Sequence, residues 1–160
     1  MAITALRNQV PRNGDADALD RGLLPSLIGY QLRLAQIAIF RDFKQALGKH
    51  DITPGLFGVL VLIDANAGMK QTDLAKAIHL DRSTVVNVID NLEAMKLVER
   101  RASSGDRRSK ALYLTSEGKR TLHRLKPLVI AHERRLKRHL SAADQKALVN
   151  LLQKIFPEYR

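Results

Sequence analysis

Apolar residues recur at close to helical spacing over most of this chain. From Leu23 to Gly48 they fall at Leu27, Tyr30, Leu34, Ile37, Phe40 and Leu47, which predicts one long helix stopped by Gly48. In "DITPGLF", Thr53 is placed to cap a second helix and Pro54 to open it; the helix runs to about Ala65 and is closed by "ANAG". Two shorter helices follow, over about 71–78 and 82–95. The period then changes. Leu97 to Arg101 and Lys110 to Thr115 read as strands, the second with Ala111, Tyr113 and Thr115 on one face and Leu112 and Leu114 on the other. A turn of Ser, Gly and Asp joins them. Ser116 opens a long basic helix to about Leu140, in which Pro127 predicts a bend. Ser141 caps a last helix to Phe156, with Leu148, Leu151, Leu152 and Ile155 in one stripe. Residues 1–18 mix Arg, Asn, Gly, Asp and Pro without a period and read as a mobile arm. The pattern describes a mainly α fold carrying a small two-stranded β hairpin.

The middle of the chain carries the candidate chemistry. In "QTDLAKAIHLDRSTVVNVIDNLEAM", Leu74, Ala75 and Ile78 mark the inner face of a short helix, and Ala75 is small where a second helix must pack close. Leu80 can plug the turn, and Asp81 can cap the next helix. In that helix Val85, Val88, Ile89 and Leu92 face inward, while Ser83, Thr84, Asn87 and Asn91 fall on the opposite side. This is the plan of a helix-turn-helix, in which one helix braces and the next offers a polar N-terminal face to a DNA groove. Short hydroxyl and amide side chains can bond base edges or phosphates, and Arg82 adds charge at the helix start. An ordinary helical hairpin with a polar exterior has the same pattern.

Charge separates the two readings. The formal net charge is +11. Lys96 to His139 contain fourteen Lys and Arg against four Asp and Glu, an excess of ten. A polyanion is the partner that such a segment suits. Arg107 and Arg108, adjacent at the hairpin tip with Asp106 before them and Lys110 after, stabilise little on a bare hairpin. On DNA, guanidinium groups at that tip can enter a minor groove, and Asp106 can hold one of them in place.

Composition excludes several other classes. The longest apolar run, "GLFGVLVLI" from Gly55 to Ile63, fits a buried helix rather than a bilayer span, and no basic-then-apolar leader opens the chain, so cytoplasm is the expected location. Without any cysteine there is no disulfide, thiolate metal site or thiol-based redox sensing. The five histidines are scattered. His132 and His139 share a face near Glu133, but in a strongly basic helix that repels cations, so no metal and no cofactor is expected and these histidines read as solvated. There is no phosphate-cradling Gly loop, nucleophile motif or spaced acid–base pair, so the chain is not expected to be an enzyme.

"DRRSKALYLTSEGK" resembles the wing signature of the MarR family of bacterial transcriptional regulators, with Asp106, Arg108, Leu112, Leu114, Thr115 and Gly118 at the matching positions. "TDLAKAIHLDRSTVVNVIDNLEAMKLVERR" is similar to the recognition region of the same family. The likeness runs over about Leu23 to Phe156. It implies a winged helix-turn-helix flanked by an N- and C-terminal helical dimerisation region, and hence a homodimer on a pseudo-palindromic double-stranded DNA operator. The implied division is an arm (1–18), N-terminal helices for dimerisation and ligand binding (19–66), the winged helix-turn-helix (67–115) and C-terminal dimerisation helices (116–160). The DNA-binding set is then Arg82, Ser83, Thr84, Asn87, Asn91, Asp106, Arg107, Arg108 and Lys110.

The resemblance also implies repression relieved by a small effector. Tyr30, Arg33, Ile37, Phe40 and Phe57 are the positions that could line its pocket, and they would suit an aromatic carboxylate or its coenzyme A thioester. Phe40 and Phe57 equally fit plain core, and Arg33 a surface ion pair. The rival function is an architectural DNA-binding protein without effector. It needs no polar face such as Ser83, Thr84 and Asn87. An RNA-binding version would want more than 4% aromatic residues for base stacking.

Overall fold

The computed structural model describes residues 19–48, 50–103, 106–155 and 157, with residues 103 and 106–109 described in backbone only. The expected mobile arm, the Ser104–Gly105 tip of the hairpin and Phe156 lie outside the described residues. The chain forms two compact units, Met1–Ala35 and Gln36–Arg160. Among the described residues no helix is long and apolar enough to cross a membrane.

In the first unit the predicted continuous helix is interrupted. Leu24–Ser26 form a 3-10 turn around Pro25, and Leu27 is extended with ψ 126°, so helix α1 begins only at Ile28 and runs to Leu47. Proline offers no N–H to an α-helical ladder, and the Leu27 N–H closes a tight turn on Leu24 O at 3.0 Å instead. Gly48 then takes φ +58° after the last turn, as its position predicts.

The second unit follows the sequence pattern closely. Helix α2 (Pro54–Ala65) has Thr53 as N-cap, its Oγ1 accepting from the Leu56 N–H at 3.2 Å. Helices α3 (Gln71–Ala77) and α4 (Arg82–Ala94) follow, and α5 (Ser116–Lys137) continues through Pro127. Helix α6 (Ala142–Ile155) is opened by a reciprocal cap. Ser141 Oγ accepts from the Asp144 N–H at 3.1 Å, while Asp144 Oδ2 accepts from the Ser141 N–H at 3.1 Å. No residue of α6 is buried.

The sheet differs from the expected two strands. Strand β1 (Met69–Lys70) pairs antiparallel with β3 (Asp106–Leu114), which also pairs with β2 (Val98–Ser103), in the order β1-β3-β2. Two residues are too few for an alternating pattern to announce a strand. Gly68 makes it possible, with φ +89° and its N–H donated to Leu112 O at 2.8 Å. A Cβ there would lie 2.9 Å from Tyr113 Oη.

The core joins α2, α3, α4, α5 and the sheet through Leu60, Ile63, Leu74, Ile89, Leu92, Leu112, Leu122 and Leu125, all nearly inaccessible. His132 on α5 departs from the expectation of a solvated side chain. It is 3% exposed, its Nδ1 is 2.6 Å from Asp42 Oδ2, and its ring meets Phe43 edge-on at 5.3 Å. Helix α1 covers that face of α5 with Asp42 and Phe43, a contact between distant segments that no local pattern signals. Arg135, donating to the same carboxylate oxygen at 3.0 Å, and then His132 hold the Asp42 carboxyl below its ordinary range.

The end of the wing is fastened to α5 at one crossing. Thr115 donates its N–H to Leu97 O at 3.0 Å and its hydroxyl to Lys96 O at 2.6 Å, and its Oγ1 accepts from the Gly118 N–H at 2.9 Å. Gly118 is at the closest approach: a Cβ on it would fall 1.9 Å from Leu97 O. Backbone on both sides leaves no flexible atom to give way. Gly118→Ala should therefore lower the unfolding free energy by about 3 kcal/mol in urea titration, the upper part of the range for overpacking. An unchanged midpoint would show that the crossing opens freely.

Candidate nucleic-acid interface

Helices α3 and α4 meet through a tight turn. His79 adopts φ +52° and the Leu80 N–H reaches back to Ala75 O at 3.1 Å, which ends α3 without a glycine. Asp81 then caps α4. Its Oδ1 accepts from the Thr84 N–H at 2.8 Å and from Ser83 Oγ at 2.5 Å, and its Oδ2 accepts from Thr84 Oγ1 at 2.7 Å. Those bonds hold its carboxyl well below the usual carboxylate range, the Ser83 hydroxyl contributing most and the Thr84 hydroxyl next. Val85, Ile89 and Leu92 are buried, while Arg82, Ser83, Asn87 and Asn91 are exposed. Thr84 is half-buried at the edge of the exposed face. Both hydroxyls of the expected DNA-binding set thus already serve the cap, a use their spacing did not reveal.

The wing lies beside this helix because Arg100 binds it there. From β2, the Arg100 N–H donates to Glu93 Oε1 at 2.9 Å and its Nη1 pairs with Glu93 Oε2 and, at 2.7 Å, with Asp90 Oδ1. Its Nε donates to Gln71 Oε1 at 3.2 Å. One guanidinium therefore joins β2 to α4 and to the start of α3. Its side chain is 13% exposed. Sequence reasoning counted Arg100 only as part of the basic excess; the acidic partners three residues apart on α4 were the available signal. On the other face of the sheet Arg101 lies 4.5 Å from the Tyr113 ring centroid and pairs with Glu99 at 2.5 Å.

Two cations of the basic segment, Arg100 and Arg101, are therefore paired with acids of the same domain. Lys110 is exposed on β3 opposite Ala102. Asp106, Arg107 and Arg108 begin β3, and their side chains lie outside the described residues. An open concavity of about 600 Å³ at the helix turn is lined by Thr72, Lys76, His79 and Arg82, which adds Thr72 and Lys76 to the polar groups beside α4. Of the expected effector residues, Tyr30 is half-buried and Arg33 exposed in the first unit. In the second unit Ile37 and Phe40 are exposed, and Phe57 is half-buried with its ring 6.4 Å from that of Phe43.

The cap makes a pH prediction. A carboxyl whose folded-state value is depressed contributes stability that is present above its ordinary range, near pH 4, and lost as pH falls through the folded value. Asp81→Asn retains a capping oxygen without the charge. It should be less stable than the native protein above about pH 5, and the gap should narrow toward about pH 3 in urea titrations. A gap independent of pH would mean that the charge contributes nothing.

Comparison with known proteins identifies this arrangement. Residues 52–110 match the model of the MarR family. A proposed transcriptional regulatory protein for the hcr operon of Thauera aromatica is 35% identical over 147 residues, covering 91% of this chain and 89% of that protein. The structure superposes on the transcriptional repressor CouR bound to a 23-mer DNA duplex with a TM-score of 0.80 and 40% identity, over 86% of this chain and 98% of that one. CouR bound to p-coumaroyl-CoA gives a TM-score of 0.79 and 37% identity, over 86% and 97%. The chain belongs to the MarR family, whose members are DNA-binding transcription regulators with the winged helix fold rather than enzymes.

Proposed function

We propose that the protein is a homodimeric repressor that binds a pseudo-palindromic operator and releases it when a small aromatic acid or its coenzyme A thioester binds. The observation that carries this reading is the joined reading surface: the exposed stripe of α4 with a basic wing held beside it through Arg100. On DNA, α4 lies in the major groove and the wing tip, with Arg107 and Arg108, in the adjacent minor groove. Arg82, Asn87, Asn91 and Lys110 contact bases or phosphates. A second copy supplies the other half-site, about one helical turn away.

The flanking helices support the dimer. Helix α6 leaves Leu148, Leu151, Leu152 and Ile155 between 39% and 58% exposed, an apolar stripe that a second copy would cover. A groove of about 670 Å³ between α5 and α6, lined by Leu136, Leu140, Leu148 and Leu152, continues that surface. The division into N-terminal helices (19–66), reading domain (67–115) and C-terminal helices (116–160) follows from these roles.

The effector class is supported by CouR, whose structure holds p-coumaroyl-CoA. The candidate effector residues remain Tyr30 and Arg33 in the first unit and Ile37, Phe40 and Phe57 in the second. The effector displaces DNA by binding the released geometry more tightly than the DNA-bound one.

Fluorescence anisotropy on the DNA upstream of the protein's own gene tests this. Native protein should bind that duplex at least about a thousandfold more tightly than a scrambled one, and an aromatic acid or acyl-thioester should release it. Equal binding to both duplexes, indifferent to every compound, would contradict the proposal and favour an architectural protein. Arg108→Ala should cost about tenfold in affinity, mainly through the A·T-rich flanks, and Asn87→Ala should relax base preference within the half-site.

A further inference from the structure

The side chains on the exposed stripe of α4 are restricted in the bonds they can make. Ser83, Val86 and Asn87 fall within one arc of the helix, at i, i+3 and i+4. The Asp81 carboxyl is ionised at neutral pH, as its depressed titration requires, and has no proton to share. The hydrogen in its 2.5 Å contact with Ser83 Oγ therefore comes from the serine. A serine has one hydroxyl hydrogen. Ser83 is exposed, but it meets the groove with lone pairs alone. It can accept from the N6 amino group of adenine or the N4 amino group of cytosine, and it has nothing to donate to a phosphate, to guanine or to thymine O4.

Val86 is the second restriction. The other valines of α4 are buried or half-buried, yet Val86 is 41% exposed on the polar side, one turn from Ser83. An apolar side chain there gains nothing from phosphates. The C5 methyl of thymine is the apolar group that the major groove presents. Asp90, on the same arc, is bound by Arg100 at 2.7 Å. The groove-facing chemistry is thus an acceptor at Ser83, a pair of methyl groups at Val86 and an amide at Asn87.

We propose that Ser83 and Val86 determine part of the operator sequence: Ser83 accepts from the amino group of an adenine or cytosine, and Val86 packs on the methyl of a nearby thymine. This rests on the operator-reading function proposed above. The readout is positional, because the cap fixes Ser83 and the helix fixes Val86 relative to it.

The test begins with a duplex selected by the native protein from a random-sequence library. Each thymine of a half-site is then replaced in turn by deoxyuridine, which lacks only the methyl. Each adenine or cytosine is replaced by its analogue lacking the exocyclic amino group. One thymine replacement should weaken native binding about fourfold, the worth of one buried methyl, and should leave Val86→Ala nearly unaffected. One amino-group deletion should weaken the native protein and leave Ser83→Ala nearly unaffected. Circular dichroism melts confirm that both variants fold, since the Thr84 N–H and hydroxyl still satisfy Asp81. Enrichment of a sequence whose thymine methyls and amino groups are all neutral, or equally costly to native and variant, would overturn this inference and leave operator reading intact. Failure to enrich any sequence would overturn both.

Discussion

Arg100 projects from β2, the first strand of the hairpin, against α4, where its guanidinium meets Glu93, Asp90 and Gln71 at once. The arrangement does two things. It holds the helix and the wing side by side, the two elements proposed to enter neighbouring grooves of one duplex together. It also offsets two carboxylates on the helix that would otherwise face a polyanion. Asp90 is 57% exposed, so its arm of the bridge is screened by solvent, and the Glu93 arm, reinforced by the bond from the Arg100 N–H, holds the geometry more firmly. A lysine could supply the charge but not the fork that spans two acids and an amide.

The remainder of the reading domain can be understood as support for that joint. Leu97, Thr115 and Gly118 tie the base of the wing to α5 through backbone contacts too close for any side chain on residue 118. Asp81 starts α4 at a fixed point, and the left-handed turns at His79 and Lys96 bring the chain into and out of it. Beneath lie Leu74, Ile89, Leu92 and Leu112, which resist any tilt of α4 without opening a void. Farther along α5, the buried His132 and the more exposed Arg135 both meet the Asp42 carboxylate of α1, so that part of α1 is tied to α5 through a half-buried polar contact.

Much of this was legible in the sequence because it is local. Thr53–Pro54, Asp81, the Ser141 cap and the stripe of Val85, Ile89 and Leu92 all act within a turn or two of themselves. What escaped is non-local or conditional. Strand β1 exists only because Gly68 lets two residues reach β3, and His132 is covered by a helix ninety positions earlier. The ends of α3 and α4 use His79 and Lys96 in a conformation for which glycine is the usual marker. Ser83 and Thr84 read as free hydroxyls until their bonds to Asp81 are seen. Arg100 and Arg101 were counted with the other cations, although each is paired with acids that spacing alone did not assign to them.

Arg100 makes the helix and the wing a single reader rather than adding one more positive charge. The direct measurement is the affinity of Arg100→Gln for a selected operator and for a scrambled duplex at the same salt, well below its unfolding midpoint. A lost charge weakens both duplexes alike, whereas a lost geometry weakens the operator alone. The ratio of the two affinities should fall by about tenfold or more. A ratio that stays at its native value while both affinities drop together would contradict it.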